Sequence, residues 1–171
     1  MGAADVARHG RVEEKAAAVV AWHRIEQDAP ELAARVRERF DAGTNKTIAT
    51  LRSDGAPRLS GIELHFVDGE ATLGMMGGSM KLHDVRRDPR VAVHSPTLEP
   101  PPGDPGAWAG DAKLAGTVVE TGPVAEAGGA DGANFRIDIT EVVLTYVGSP
   151  ADHLVIESWH PGRGFERRTR R

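Results

Sequence analysis

The chain has 171 residues, of which 40% are hydrophobic and 27% charged, with a formal net charge of −4. This is ordinary for one soluble globular domain, and the acidic balance creates no field that would draw in nucleic acid or an anionic membrane. Cysteine is absent, which excludes disulfides, thiolate metal sites and cysteine nucleophiles.

The N-terminal residues lack the apolar core of a signal peptide, and no segment approaches ~20 apolar residues. A cytoplasmic protein with no membrane partner is expected. Residues 1–10 read as loose chain. Residues 11–27 are alanine-rich and read as a helix, with Val19, Trp22 and Ile25 giving an apolar stripe. A second helix is marked by Pro30 in its first turn and by Leu32, Val36 and Phe40 every four residues, ending before Gly43. Residues 1–28 are therefore taken as a helical extension ahead of a domain spanning 29–160.

From residue 46 the period changes to two. KTIATLR (46–52) reads as a strand and SDGAP (53–57) as its turn; RLSGIELHF (58–66) is a second strand. Asp68-Gly69 is a strong hairpin signal, returning the chain through EATLGMM (70–76). A short helix over 80–88 follows, then the strand RVAVHS (90–95). Residues 96–110 hold five of the eleven prolines and form a long surface loop. DAKLAGTVVET (111–121), FRIDITEVVLTYV (135–147) and HLVIESW (153–159) complete the strands, with residues 122–134 as an irregular connection. The basic residues 161–171 read as a solvated tail. Strands joined mostly by turns favour an antiparallel sheet closed into a barrel, mainly β with flanking helices, with a sandwich as the alternative that satisfies the same pattern.

One residue breaks the electrostatic pattern. The helix 80–88 has Arg86 and Arg87 late and Pro89 as its stop, yet carries Lys81 in its first turn, where the backbone dipole disfavours a cation. With Ser79 as cap, the N–H groups of Met80, Lys81 and Leu82 are predicted to be free, and Gly77 and Gly78 allow close approach to the main chain. Together these groups form a candidate phosphate seat. On the second strand, alternation puts Arg58, Ser60, Ile62, Leu64 and Phe66 on one face. The guanidinium of Arg58 is then a candidate second cation for the same dianion. Met75 and Met76 are placed to pad a flat ligand or to fill core. Glu63 and His65 share the opposite face of that strand and are candidate acid–base groups. The seven histidines show no close metal-ligand spacing, and no metal is expected. A nucleophile elbow, a Walker motif and a Rossmann fingerprint are all missing.

Taken together, the ATLRSDGAPRLS hairpin, the DGEATLG return strand and the GSMK…RRDPRVAVH junction resemble the flavin-binding core of the pyridoxamine 5'-phosphate oxidase-like family. The SWHPGRG ending (158–164) is similar to that of small actinobacterial-type members. The resemblance covers roughly residues 30–160. It implies a six-stranded antiparallel Greek-key split β-barrel, a homodimer, and a flavin at the subunit interface. It further implies that Lys81, with Ser79 and Gly78 beside it, holds the cofactor phosphate. Arg58, Leu59, Ser60 and Gly61 would run along the cofactor, and Met75 and Met76 would flank its ring.

The chain departs from the pyridoxamine phosphate oxidases themselves in three places. Met80 replaces the first of two adjacent basic residues, Glu63 occupies the position of a lysine, and the C-terminal substrate-binding arginine signature is missing. FMN is the implied cofactor, with the related deazaflavin coenzyme as the alternative; Lys113, Arg86 and Arg87 are available for the latter's anionic tail. The implied activity is a flavin-dependent oxidoreductase acting on a small-molecule substrate. The alternative is a non-catalytic flavin- or haem-binding carrier.

Overall fold

The computed structural model describes residues 19–124 and 131–171. Two helices open the described chain, α1 (Trp22–Asp28) and α2 (Pro30–Asp41). Of the helix expected over 11–27, residues 11–18 lie outside the described residues; within those described, α1 runs from Trp22, and Val20 makes a β-bridge to Ile139. Trp22 and Ile25 are fully buried while Val19 is exposed, so only part of the expected stripe packs. Leu32, Val36 and Phe40 are buried as their spacing requires. Phe66 packs between the two helices, with ring centroids 4.3 Å from Trp22 and 5.8 Å from Phe40.

The strands are β1 (Lys46–Leu51), β2 (Pro57–Ile62), β3 (Leu64–Val67), β4 (Glu70–Met75), β5 (Arg90–His94), β6 (Asp111–Pro123), β7 (Ala133–Val147), β8 (Leu154–His160) and β9 (Gly164–Arg170); α3 (Met80–Arg87) lies between β4 and β5. All described pairings are antiparallel, in the order β2-β1-β5-β6-β7-β4-β3, with β8 on β7 and β9 on β8. The mainly β architecture with flanking helices is as expected, but the described sheet has nine strands rather than six.

Two differences account for most of that count. The expected strand 58–66 is interrupted at Glu63, so that β2 pairs with β1 while β3 pairs with β4. Burial still alternates across the break: Ile62, Leu64 and Phe66 are buried, and Gly61, Glu63 and His65 face out. The basic tail is not a loose terminus. Residues 164–170 form β9, in register with β8 from His160↔Gly164 to Leu154↔Arg170.

The fifteen-residue β7 organises the sheet. Its first half pairs with β4 and its second half with β8, while β6 runs along its other edge. The sheet therefore divides near Thr140. A register shift between Ala115 and Gly116 lies opposite this division. A Cβ at Gly116 would collide with the carbonyl oxygen of Asp138, so glycine is what allows the two backbones to approach there. The Asp68-Gly69 turn has φ of 51° and 77°, as a tight two-residue hairpin requires. Ile48, Leu64, Leu73, Leu114, Ile137, Ile139, Val142 and Leu144 fill the interior. No helix among the described residues is long and apolar enough to cross a membrane.

Candidate functional site

Helix α3 starts at Met80, which leaves Lys81 in its first turn with no acidic residue beside it. Ser79 is the cap in an extended conformation (φ −70°, ψ 142°), but its side chain makes no capping bond. Its hydroxyl oxygen is buried and has no partner. The carbonyl of Ser79 accepts from the N–H of Leu82 at 3.1 Å and of His83 at 3.2 Å. Leu82 is therefore already engaged, and the open donors are two rather than three. The N–H groups of Met80 and Lys81 have no acceptor among the described residues. Two amides, one ammonium and an unanswered hydroxyl converge on one helix end, a constellation suited to a dianion.

The two glycines ahead of the helix have different tasks. Gly78 has φ of 70° and nothing within 4 Å of an added Cβ, so it supplies the turn and leaves the space open. A Cβ on Gly77 would lie 3.0 Å from the backbone nitrogen of Asp131 and 3.1 Å from that of Gly132. Gly77 thus admits the β6–β7 connection rather than a ligand.

A pocket of about 650 Å³ adjoins this helix end, with Lys81 on its wall. Gly61 and Ile62 from β2, then Glu63 and His65, form one side; Gly74, Met75 and Met76 from β4 form another. Asn45, Val124 and Asn134 complete the lining. Met75 is buried in the core with an edge in the pocket, whereas Met76 is 64% exposed. Gly61 has nothing within 4 Å of an added Cβ, so a flat ligand can lie directly against the β2 backbone. The pocket unites Gly61, Met75, Met76 and Lys81 from the sequence-based set.

Arg58, Leu59 and Ser60 do not line the pocket, nor do Gly78 and Ser79, which stand beside it at the start of α3. Leu59 points outward and is 73% exposed. Arg58 turns to α3, where its Nε donates to Asp84 Oδ2 at 2.7 Å; Thr50 Oγ1 donates to the same oxygen at 2.8 Å. Arg87 Nη1 lies 3.6 Å from Asp84 Oδ1, and its Nη2 donates to the Leu51 carbonyl. Burial alone would raise the Asp84 carboxyl, but hydrogen bonds from Arg58 and Thr50 and the charges of Arg58 and Arg87 outweigh it and lower its pKa. This cluster fastens α3 to β1 and β2 and so fixes where Lys81 sits.

Asn45, Val124 and Asn134 carry no spacing that marks them in the sequence; only the sheet register brings them here. The loop 96–110 contributes nothing to the pocket lining. It closes on itself, with Trp108 Nε1 donating to the Leu98 carbonyl at 2.9 Å. Among the described residues no group of three or more metal-ligating side chains is found.

No protein-family model and no curated protein matches the sequence. Solved structures do match. A pyridoxamine 5'-phosphate oxidase-related, FMN-binding protein from Nostoc punctiforme aligns with a TM-score of 0.56 and 8% identity, covering 86% of this chain and 96% of that one. PhzG from Burkholderia lata, solved with tetrahydrophenazine-1-carboxylic acid, aligns at 0.55 with 11% identity, covering 88% of each chain. A protein from Agrobacterium tumefaciens aligns at 0.53 with 17% identity, covering 67% of this chain and 56% of that one. At these identities the likeness is one of fold: the chain has the split-barrel architecture of these proteins.

Proposed function

We propose that the chain is a cytoplasmic, homodimeric, flavin-dependent oxidoreductase of the pyridoxamine 5'-phosphate oxidase-like class, holding FMN and acting on a small-molecule substrate. The observation that carries this reading is the cluster of unanswered donors at the start of α3, whose Lys81 lines a pocket with a glycine-bared strand on one side. Lys81 Nζ, the N–H groups of Met80 and Lys81, and the Ser79 hydroxyl would hold the phosphate, with Gly78 giving the turn that exposes them. Gly61, Met75 and Met76 would bed the ring, and Arg58, Leu59 and Ser60 would set the course of β2 beside it. FMN supplies hydride and electron transfer when bound; the chain supplies anchoring, orientation and exclusion of water. No side-chain nucleophile is needed, in keeping with a sequence that offers no triad.

FMN is preferred over the deazaflavin coenzyme because the cations that would meet the latter's anionic tail are already engaged. Arg86 binds Glu120 and Asp131, Arg87 binds Leu51 and Asp84, and Lys113 Nζ lies 3.3 Å from Asp111. Met76 on the pocket wall, and Leu59 and Met80 outside it, are all more than half exposed, and a second copy covering them would remove apolar surface from water and close the site over Met76.

The test is titration of FMN and of the deazaflavin coenzyme into the protein, followed by fluorescence. Quenching by FMN with a Kd at least about tenfold below that of the deazaflavin is expected. Quenching by neither would end the reading. Reduced cofactor offered to quinones and enones then separates turnover from mere carriage.

A further inference from the structure

The pocket wall carries one permanent cation, Lys81, and two groups able to accept hydrogen bonds: the Glu63 carboxylate, 62% exposed with His65 Nε2 at 3.9 Å, and Asn134. Asn134 Nδ2 donates to the Pro123 carbonyl at 2.9 Å. This fixes its amide so that Oδ1 lies over Gly74, 3.4 Å from where a Cβ there would be. A carbonyl can only accept, so the Pro123 contact fixes the nitrogen on that side and leaves Oδ1, toward Gly74, as an acceptor. Among the described lining residues Glu63 is the single carboxylate and Lys81 the single permanent cation. A second cavity of about 290 Å³ shares His65, Gly74 and Asn134 with the first and adds no charged residue. The wall formed by His65, Gly74 and Asn134 therefore borders both spaces.

We infer that Glu63, with Asn134 Oδ1, selects a substrate bearing a nitrogen donor, an amine or amidine, and rejects one bearing a carboxylate or second phosphate. This deepens the flavin reading by naming the substrate class, and it rests on that reading for assigning Lys81 to the phosphate. A carboxylate that lines a cavity and is ion-paired to no guanidinium or ammonium among the described residues attracts a cation and repels an anion. The cost of mispairing is what makes such a group discriminating.

The experiment uses two probes of like shape and opposite charge, benzamidine and benzoate, titrated calorimetrically into the full-length protein in the presence of FMN. The wild type is expected to bind benzamidine at least about tenfold more tightly than benzoate. Glu63→Gln should bring the two within about threefold, and Glu63→Lys should reverse their order. Glu63 is exposed and outside the core, so these variants keep the fold, which their melting curves verify. Equal binding of both probes by the wild type, or an amidine preference unaltered in Glu63→Lys, overturns the inference. FMN quenching on the same samples keeps the two readings apart. An amidine preference without FMN binding sinks the flavin and leaves Glu63 in place, while FMN binding without the preference does the reverse.

Discussion

Arg58 Nε donates to Asp84 Oδ2 at 2.7 Å, joining an edge strand to the helix that carries Lys81. The aspartate is 3% exposed in its side chain, so its charge depends on its partners rather than on water. Asp84→Asn leaves Arg58 and Arg87 without their counter-charge and is expected to cost about 3–5 kcal/mol, measured by denaturant unfolding at neutral pH.

The same cluster sets the acid response. Asp84 has a lowered folded-state pKa, so the stability it confers is present above its unfolded value of 3.8 and is lost as pH falls through the folded value. Asp88 has the same sign: the hydrogen bond from Arg90 holds it down to about 2, against the opposing effect of burial. The stability these two carboxylates confer is expected to persist down to pH 3.8 and to fall below it, the Asp88 share being lost toward about 2. The gap to Asp84→Asn should begin to narrow only below pH 3.8. A gap that narrows at higher pH would assign the cluster the wrong sign.

Lys81→Ala removes a charged hydrogen-bond donor from the proposed phosphate seat. FMN affinity is expected to fall by about 1.5–3 kcal/mol in fluorescence titration. The ligand-free protein should lose no stability and should gain slightly, because an adverse contact with the helix dipole disappears. Equal destabilisation with and without FMN would mark Lys81 as structural only.

Gly77 and Gly61 form a matched pair of controls. Gly77→Ala pushes a methyl group against the backbone at Asp131 and Gly132 and is expected to cost about 1–3 kcal/mol in unfolding experiments. Gly61→Ala meets nothing within 4 Å and should leave the melting midpoint unchanged or slightly raised. It should nevertheless weaken FMN binding, because the methyl group enters the pocket.

Met76→Lys, on an exposed position of the pocket rim, is expected to convert a dimer into a monomer in size-exclusion chromatography with light scattering. Burying an unpaired ammonium in an apolar interface is costly, while on a free surface it is nearly neutral. An unchanged oligomer with unchanged FMN affinity would place the subunit contact elsewhere.

Ending the chain at Arg163 removes β9. Strand β8 becomes an edge, Arg167 leaves Glu157, and Phe165 leaves the cleft lined by Ala29, Pro30 and Leu32. The melting midpoint is expected to drop by roughly 4–8 °C, as a loss of about 2 kcal/mol does in a chain of this size. A merely solvated tail would leave it unmoved.

The sequence made Lys81 conspicuous because a single local rule, the sign of a charge in a helix's first turn, was broken without a local remedy. Other features needed only local patterning too: the Asp68-Gly69 turn, the buried series Leu32, Val36 and Phe40, and the alternation through Ile62, Leu64 and Phe66. Arg58 shows the limit. Its strand face was readable, but its partner lies 26 residues away on a helix, and only packing brings the two together. The tail misled for a physical reason: four arginines among its last five residues repel one another as an isolated segment, whereas Glu157 and Glu166 on the folded hairpin accept Arg167 and Arg168. Glu63 misled in the opposite way, since continuous alternation conceals a change of ladder partner.

That change of partner has a mechanical side. β2 and β3 stand at opposite ends of the hydrogen-bonded path through the sheet, yet a single residue stitches them together. The seam is bridged by covalent chain rather than by a ladder, and the burial of Ile62 and Leu64 on either side of it ties both strands to one core. A flavin held as proposed, between Gly61 and Gly74, would lie across both strands, and slower amide exchange along two strands that share no ladder is the expected sign of its arrival.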